Sequence, residues 1–90
     1  MIKSINYTSK FKKDLEKAKK QGRNLEALQE AIRFLGSSTP LPYKFNDHKL
    51  IGNYSGRREC HLAPDFLLIY CIKGNELTFE RLGTHSELFR

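Results

Sequence analysis

The chain has few of the features that mark membrane or secreted proteins. It contains no tryptophan, one methionine and two cysteines, and its longest apolar run, residues 66–72, is only long enough for a strand. A membrane-spanning helix needs about 20 consecutive apolar residues. Lys3 is followed by polar residues and lysines, where a signal peptide would carry an apolar segment. We therefore expect a cytoplasmic protein with no membrane contact.

The two cysteines, Cys60 and Cys71, have no short paired spacing, which argues against a disulfide framework. Both lie in apolar, strand-like segments, where a cysteine usually acts as a small apolar side chain. A zinc site is the competing interpretation, because three histidines are also available. The one adjacent pair, Cys60 and His61, points to opposite faces of a predicted strand. We therefore expect buried thiols, no metal and no cofactor.

Positive charge is what the chain has in excess. Lysine and arginine total 16 against 10 acidic residues, which gives a net charge of +6 and a pI near 9.5. An excess of positive charge favours binding to a polyanion or to an acidic protein. A role in solubility alone is the alternative explanation of this excess. A length of 90 residues leaves room for a single domain, residues 1–90.

Two amphipathic helices are predicted in the first half of the chain, after a short strand at residues 2–7. Thr8 or Ser9 can cap the first helix, whose apolar stripe is Phe11, Leu15 and Ala18. The remaining positions of this helix carry six lysines: Lys10, Lys12, Lys13, Lys17, Lys19 and Lys20. The second helix has a stripe of Leu25, Leu28, Ile32 and Leu35, and we expect Gly36 to end it in a left-handed conformation.

The second half of the chain indicates strands joined by tight turns. We predict a short strand near residues 49–50, a strand at 57–62, a central strand at 66–72 that is apolar on both faces, and a last strand at 77–82. In the last strand, Leu77, Phe79 and Arg81 should share one face. Strand, two helices and then strands predict an α+β fold, with a helical hairpin packed on an antiparallel-rich sheet of four or so strands.

Polar residues suited to catalysis are confined to the second half, and the first half contains no histidine. Each also has an ordinary structural interpretation, such as a turn, a capping box at residues 84–87, or an ion pair between Arg81 and Glu59 across the sheet. Strand order would bring them to one edge of the sheet, in a shallow basic cleft. The candidates are His48, His61, Asp65, Arg81 and His85.

This set of side chains matches the needs of RNA cleavage by the 2′-hydroxyl of the RNA itself. That reaction requires a base, an acid and positive charge beside the developing phosphorane. Histidine titrates near neutrality and arginine matches two phosphate oxygens, so no metal is needed. Phe66 and Phe89 are candidates for stacking an RNA base, with core packing the stronger interpretation for Phe66.

Three segments together resemble the YafQ-type toxins of the RelE/ParE superfamily. Residues 47–52 (DHKLIG) are similar to the D-H-x-L-x-G element of the family. Residues 58–70 (RECHLAPDFLLIY) resemble its R-[ED]-x-H-[LIV]-x-P-D-[WF]-[LI]-L-[IV]-Y core, and residues 79–89 (FERLGTHSELF) resemble its C-terminal R-x-G-[TS]-H-x-x-L-F end. Phe66 stands where several relatives have tryptophan, which puts codon preference in doubt.

The resemblance implies a RelE-like fold and a ribosome-dependent endoribonuclease that cuts mRNA in the ribosomal A site. It implies a cognate antitoxin, usually of the ribbon-helix-helix type, and operator DNA binding only through the toxin–antitoxin complex. It also implies Asp65 and His85 as base and acid, Arg81 stabilising the phosphorane, and His48 and His61 positioning the phosphate or sharing the proton transfers. The lysine-rich first helix suits ribosomal RNA, which carries dense phosphate charge.

Three alternative functions stay open at this point. A ParE-like gyrase poison would need no nuclease site. A plain nucleic-acid-binding module would explain the charge but not the histidines and aspartate. A catalytically inactive relative that only binds the antitoxin is compatible with every motif.

Overall fold

A computed structural model describes residues 1–89, so Arg90, the last residue of the predicted domain, lies outside the described residues. The elements, in chain order, are strand β1 (Ser4–Tyr7), helices α1 (Ser9–Lys20) and α2 (Glu26–Gly36), strands β2 (His48–Lys49), β3 (Arg58–Ala63), β4 (Phe66–Lys73) and β5 (Glu76–Gly83), and helix α3 (His85–Leu88). The strands form one sheet in the order β1-β5-β4-β3-β2, in which only the β1–β5 pair is parallel. The predicted α+β class with an antiparallel-rich sheet is confirmed.

Helices α1 and α2 bury their predicted stripes against one face of the sheet. The hydroxyl of Thr8 accepts a hydrogen bond from the backbone N–H of Phe11 at 3.0 Å and so caps α1. Phe11 and Ala18 of α1 join Leu28, Ala31 and Leu35 of α2 in a buried cluster. Side chains of this size each contribute about 1.5–3 kcal/mol when buried, apart from the alanines.

The expectation for Gly36 is wrong. It is the last helical residue of α2, and the left-handed residue is Ser38, with a φ of 59°. A Cβ atom on Gly36 would lie 3.4 Å from the side-chain terminus of Ile5 in β1. That distance is an ordinary van der Waals contact, so packing against Ile5 does not by itself require a glycine at this position.

Strand β4 is central and buried on both faces, as its continuous apolar sequence predicts. Leu68 and Tyr70 face the helices. Leu67 and Ile69 face the other way and are covered by α3 and by Tyr54 of the loop that precedes β3. Cys60 and Cys71 are both buried and free, as predicted, and burial raises the pKa of the Cys60 thiol to about 12.

The predicted alternation of faces in β5 fails at one point. A β-bulge opposite Ile69 and Tyr70 pairs Tyr70 with Phe79 and Ile69 with Arg81. An extra residue in one strand reverses the alternation after it. Leu82 consequently packs in the helix-side cluster with Leu77 and Phe79. Arg81 is the backbone register partner of Ile69, and its side chain leaves the sheet on the opposite face.

Within residues 1–89, no helix is both long and apolar enough to cross a membrane.

Candidate active site

Three histidines converge on the face of the sheet opposite α1 and α2, which we call the site face. His48 comes from β2, His61 from β3, and His85 from the start of α3. The ring centroids of His48 and His61 are 5.8 Å apart, and those of His61 and His85 are 6.0 Å apart. His61 thus stands in the middle of a row of three imidazoles, in which neighbouring rings are at the separation of aromatic pairs.

Glu59 lies beneath this row and is the site residue that the sequence analysis missed as a catalytic candidate. It is 4% exposed. Its Oε2 atom is 3.1 Å from His48 Nε2 and 3.4 Å from His61 Nε2. Its Oε1 atom is buried and has no hydrogen-bond partner among the described residues. Burying a carboxylate in this way costs free energy unless charged partners compensate it.

The signal for Glu59 was present in the sequence. Residues two apart on a strand share a face, so a glutamate at position 59 had to lie beside His61. The alternative considered above, an ion pair between Glu59 and Arg81, is wrong. Arg81 pairs with Asp14 of α1 instead.

His48 is held at both ring nitrogens. Its Nδ1 atom is 2.8 Å from the backbone oxygen of Asn46, which can only accept a hydrogen bond. Nδ1 therefore carries a proton, and Nε2 faces the Glu59 carboxylate. The ring of His48 is therefore oriented by the Asn46 backbone on one side and lies against the Glu59 carboxylate on the other.

Asp65 and His85 form a second, separate pair. The Asp65 Oδ1 atom accepts from the backbone N–H of His85 at 2.9 Å and lies 2.7 Å from His85 Nδ1. The backbone hydrogen bond and then the ring hydrogen bond hold the pKa of the Asp65 carboxyl below its ordinary value. A carboxylate at Nδ1 fixes the ring so that Nε2 is the nitrogen turned outward.

The capping box predicted at residues 84–87 sets the position of His85. The Thr84 hydroxyl accepts from the N–H of Glu87, and the Glu87 carboxylate accepts from the N–H of Thr84. Glu87 also pairs with Lys17 of α1. His85 therefore sits at the start of a short helix that is tied to the rest of the molecule at both ends of the box.

Arg81 is paired with a carboxylate of α1. Its Nε and Nη2 atoms donate to the Asp14 carboxylate at 2.8 and 3.3 Å, and this hydrogen bond raises the pKa of the guanidinium. Asp14 also accepts from the backbone N–H of Leu82. Arg81 lines a groove of about 460 Å³ between α1 and α3, beside Phe66 and Arg23.

The two aromatic candidates differ in position. Phe89 is 43% exposed, and its ring centroid is 6.2 Å from that of His85 and 5.5 Å from that of Tyr54. Phe66 is 4% exposed, belongs to the helix-side cluster, and has the Arg23 guanidinium 4.5 Å over its ring. The structure places Phe66 in the core, the alternative stated for it above, so base stacking by Phe66 has no structural support.

One set of donors on the site face has the spacing of a metal site. One ligand atom each from His48, Glu59 and His61 lies within 4.8 Å of the others. Cys60 is excluded from this set, because it points into the helix-side cluster as its place next to His61 predicts. The sequence analysis weighed a zinc site from histidine and cysteine spacing and did not anticipate this set.

Comparison with known proteins identifies the family. A family model described as "Bacterial toxin of type II toxin-antitoxin system, YafQ" matches residues 3–90. The chain is 38% identical to the mRNA interferase toxin YafQ of Escherichia coli K12, over 97% of this chain and 96% of the other. The chain belongs to the YafQ family of bacterial toxins. The RelE/YafQ resemblance inferred from the motifs is confirmed.

Solved structures of YafQ and of another bacterial toxin share the fold over nearly the whole chain. The E. coli DinJ–YafQ toxin–antitoxin complex contains a chain 35% identical, with a TM-score of 0.91 and 100% coverage of both chains. A copper-bound mutant toxin from Helicobacter pylori is 43% identical, with a TM-score of 0.91 and coverage of 99% and 100%. At the level of the family, the predictions of a toxin and of an mRNA-cleaving endoribonuclease are confirmed. The prediction of an antitoxin partner is supported by the complex.

Proposed function

We propose that this YafQ-family toxin cuts mRNA in the ribosomal A site, in the bacterial cytoplasm, by acid–base catalysis without a metal. The observation that carries the proposal is the row of three imidazoles, of which two are backed by separate carboxylates. Two histidines with opposed roles supply the base and the acid that cleavage by a 2′-hydroxyl requires.

His61 is the base in this mechanism. Glu59 faces its Nε2 atom, which leaves Nδ1 with a lone pair for the 2′-hydroxyl proton. The 2′-oxygen attacks the adjacent phosphorus, the P–O5′ bond breaks, and His85 Nε2 donates a proton to the departing 5′-oxygen. The products are a 2′,3′-cyclic phosphate and a 5′-hydroxyl, so protons and bonds balance without any further reactant.

Asp65 acts through His85 in this scheme, in place of the base role that the family resemblance implied. Its carboxylate contacts the ring nitrogen that faces away from substrate and stabilises the ring when it is protonated. His48, whose ring lies against the Glu59 carboxylate, helps to position the phosphate. Arg81 takes the phosphorane-stabilising role only on leaving Asp14.

Phe89 and α1 provide contacts to the rest of the substrate. Phe89 is the exposed aromatic ring beside His85 and can stack an unpaired base. All six lysines of α1 are exposed, and their contacts with ribosomal RNA phosphates would weaken as salt rises. The same basic surface suits an acidic segment of an antitoxin, here proposed to be of the ribbon-helix-helix type, which would carry the toxin to operator DNA.

A metal ion is a competitor of substrate in this proposal. The donor set of His48, Glu59 and His61 suits Cu²⁺ or Zn²⁺, and an H. pylori relative is described as copper-bound. A bound ion would occupy nitrogen and oxygen lone pairs of these three side chains and so block their contacts with substrate. We expect a chelator to leave cleavage unchanged and added Zn²⁺ or Cu²⁺ to inhibit it.

The deciding experiment maps the 5′ ends of an mRNA after incubation with the purified protein in a reconstituted translation reaction, with and without ribosomes. Cuts in frame with codons, ending in a 2′,3′-cyclic phosphate and present only with ribosomes, are expected. The His85→Ala variant is the inactive control, and Tyr7→Phe, at a position on the helix side, is the active control.

Other results point to the other functions. Cuts without ribosomes would make the protein a free ribonuclease. Loss of cleavage on chelation would overturn the metal-free mechanism. No cuts in either reaction, with inhibition of gyrase supercoiling, would favour the ParE-like function, and no effect on either target would favour an inactive antitoxin-binding relative.

A further inference from the structure

Three motif residues have no role in the proposed mechanism, and two of them directly precede residues of the site face. Asp47 precedes His48, and Arg58 precedes Glu59. Neighbouring residues of an extended segment point to opposite faces. Each pair therefore places one side chain on the site face and the other on the helix side of the sheet. Tyr70 of β4 is the register partner of Arg58 on that side.

The side chains of Asp47, Arg58 and Tyr70 form a connected set, which we call the Asp47 clamp. Arg58 Nε and Nη2 donate to Asp47 Oδ2 at 3.1 and 2.9 Å, and the Tyr70 hydroxyl donates to Asp47 Oδ1. Tyr70 is 1% exposed. Burial raises the pKa of its phenol, and the hydrogen bond to Asp47 raises the pKa of Arg58. Tyr70 and Arg58 therefore both stay protonated. Asp47 accepts hydrogen bonds from β3, through Arg58, and from β4, through Tyr70.

His48 lies on a segment with little secondary structure of its own. Strand β2 is two residues long and forms one edge of the sheet. It follows Asn46, a non-glycine residue with a φ of 45°, whose backbone oxygen is also the acceptor for His48 Nδ1. Short edge segments open locally at low free-energy cost. The orientation of the His48 ring thus depends on how the backbone at residues 46–47 is held.

We propose that Asp47, Arg58 and Tyr70 are positioning residues that lock the backbone beside His48 and so aim its ring at Glu59 and the scissile phosphate. The clamp ties the β2 edge to β3 through Arg58 and to the central strand β4 through Tyr70. It lies on the helix side and never touches the RNA. This inference rests on the proposed function, in which His48 helps to position the phosphate.

A double-mutant cycle with His48 tests the clamp. Tyr70→Phe removes one hydroxyl and keeps the buried ring, and Tyr7→Phe removes a hydroxyl from another helix-side tyrosine as the matched control. Multiple-turnover cleavage on programmed ribosomes, measured over a range of ribosome concentrations, gives kcat and KM separately. We expect Tyr70→Phe to lower kcat by about tenfold, which is the effect of losing about 1.4 kcal/mol of transition-state stabilisation. KM and the melting temperature should stay near those of Tyr7→Phe.

The decisive part of the cycle is the His48→Ala background. There, Tyr70→Phe should cause no further loss of kcat, because the ring that the clamp aims is gone. A merely structural role for Tyr70 would produce the same fold loss in both backgrounds, and that result would overturn the proposal. Arg58→Lys keeps the charge but loses the two-pronged contact, and it should show the same dependence on His48.

Nitrogen NMR of the imidazole rings gives a readout that needs no ribosome. Tyr70→Phe should move the ring signals of His48 and leave those of His85 unchanged. Unmoved His48 signals would overturn the clamp. If His48→Ala cleaves at the wild-type rate while the His48 signals respond to Tyr70→Phe, the clamp stands and the catalytic role given to His48 fails.

Discussion

The two faces of the sheet follow different rules of stabilisation. The helix side is closed by α1 and α2 over a continuous apolar cluster, and the Asp47 clamp at its margin is a set of matched donors and acceptors. The site face has a small apolar cluster around Leu67 and Ile69, and beside it a buried carboxylate with an unpartnered oxygen. Residues that stabilise the fold therefore lie on one side of the strands, and residues of the proposed active site lie on the other. The two kinds are often consecutive in the sequence.

The largest effect that sharpens this comparison is expected at His85. His85→Ala removes the proposed acid, and we expect cleavage to fall by about 10²–10⁴-fold. The ring is about half exposed, so the melting temperature should change little. Asp65→Asn should cost less than His85→Ala, and the double variant should be no worse than His85→Ala, because Asp65 acts through the ring. If the loss of cleavage in the double variant instead equalled the product of the two single-variant losses, Asp65 would act on the substrate directly.

A core substitution on the helix side should show the reverse pattern. Leu68 is fully buried between the sheet and the helices. Leu68→Ala should lower the free energy of unfolding by about 2–5 kcal/mol through lost burial and the cavity left behind. Denaturant melts measure this loss. Cleavage per folded molecule at low temperature should match wild type, and a large kcat defect there would break the division between the two faces.

The sequence predicted the fold well because its signals are local and periodic. The spacing of Phe11, Leu15 and Ala18 and the apolar run of β4 each report one element without any knowledge of its neighbours. The bulge in β5 could not be found this way. Nothing in residues 76–83 shows that an extra residue faces β4, so strict alternation placed Arg81 beside Phe79.

The sequence predicted which residues belong to the candidate site, but it did not predict which of them contact each other. The motifs brought out His48, His61, Asp65 and His85, all of which lie on the site face or at its end. The partner of each depends on distances across strands. The sequence suggested Glu59 for Arg81, whereas the structure pairs Arg81 with Asp14, a residue 67 positions away. The position of Glu59 beside His61 could be read from their spacing, but its burial and its contact with His48 are tertiary properties.

Glu59 is a residue that we expect to lower the stability of the fold while it supports cleavage. Glu59→Leu removes a buried carboxylate whose Oε1 atom has no partner among residues 1–89. We expect the free energy of unfolding to rise by about 1 kcal/mol, which is about 4–8 °C in melting temperature for a domain of this size. Cleavage should fall sharply. Glu59→Gln is the control that keeps the shape, and a destabilised Glu59→Leu would mean that the carboxylate holds the fold together.

The smallest expected effect concerns the ion pair between Lys17 of α1 and Glu87 of α3, which joins the helix side to the site face. The Lys17 hydrogen bond, followed by that from the Thr84 N–H, lowers the pKa of Glu87 to about 2 from its ordinary value of 4.5. The carboxylate therefore stabilises the fold fully above about pH 4.5, and this contribution is lost as pH falls towards 2. Because Lys17 is more than half exposed, Lys17→Ala should cost no more than about 1 kcal/mol near neutral pH.

Lys13→Ala, at another exposed position on α1, is the matched control for charge. Thermal melts from neutral to acidic pH should show the gap between the Lys17 and Lys13 variants narrowing below about pH 4.5, as Glu87 becomes protonated. High salt should narrow it as well, because exposed charges are screened. A gap that persists in acid would mean that Lys17 stabilises the molecule through packing of its stem. The pairing with Glu87 would then contribute nothing to the position of His85.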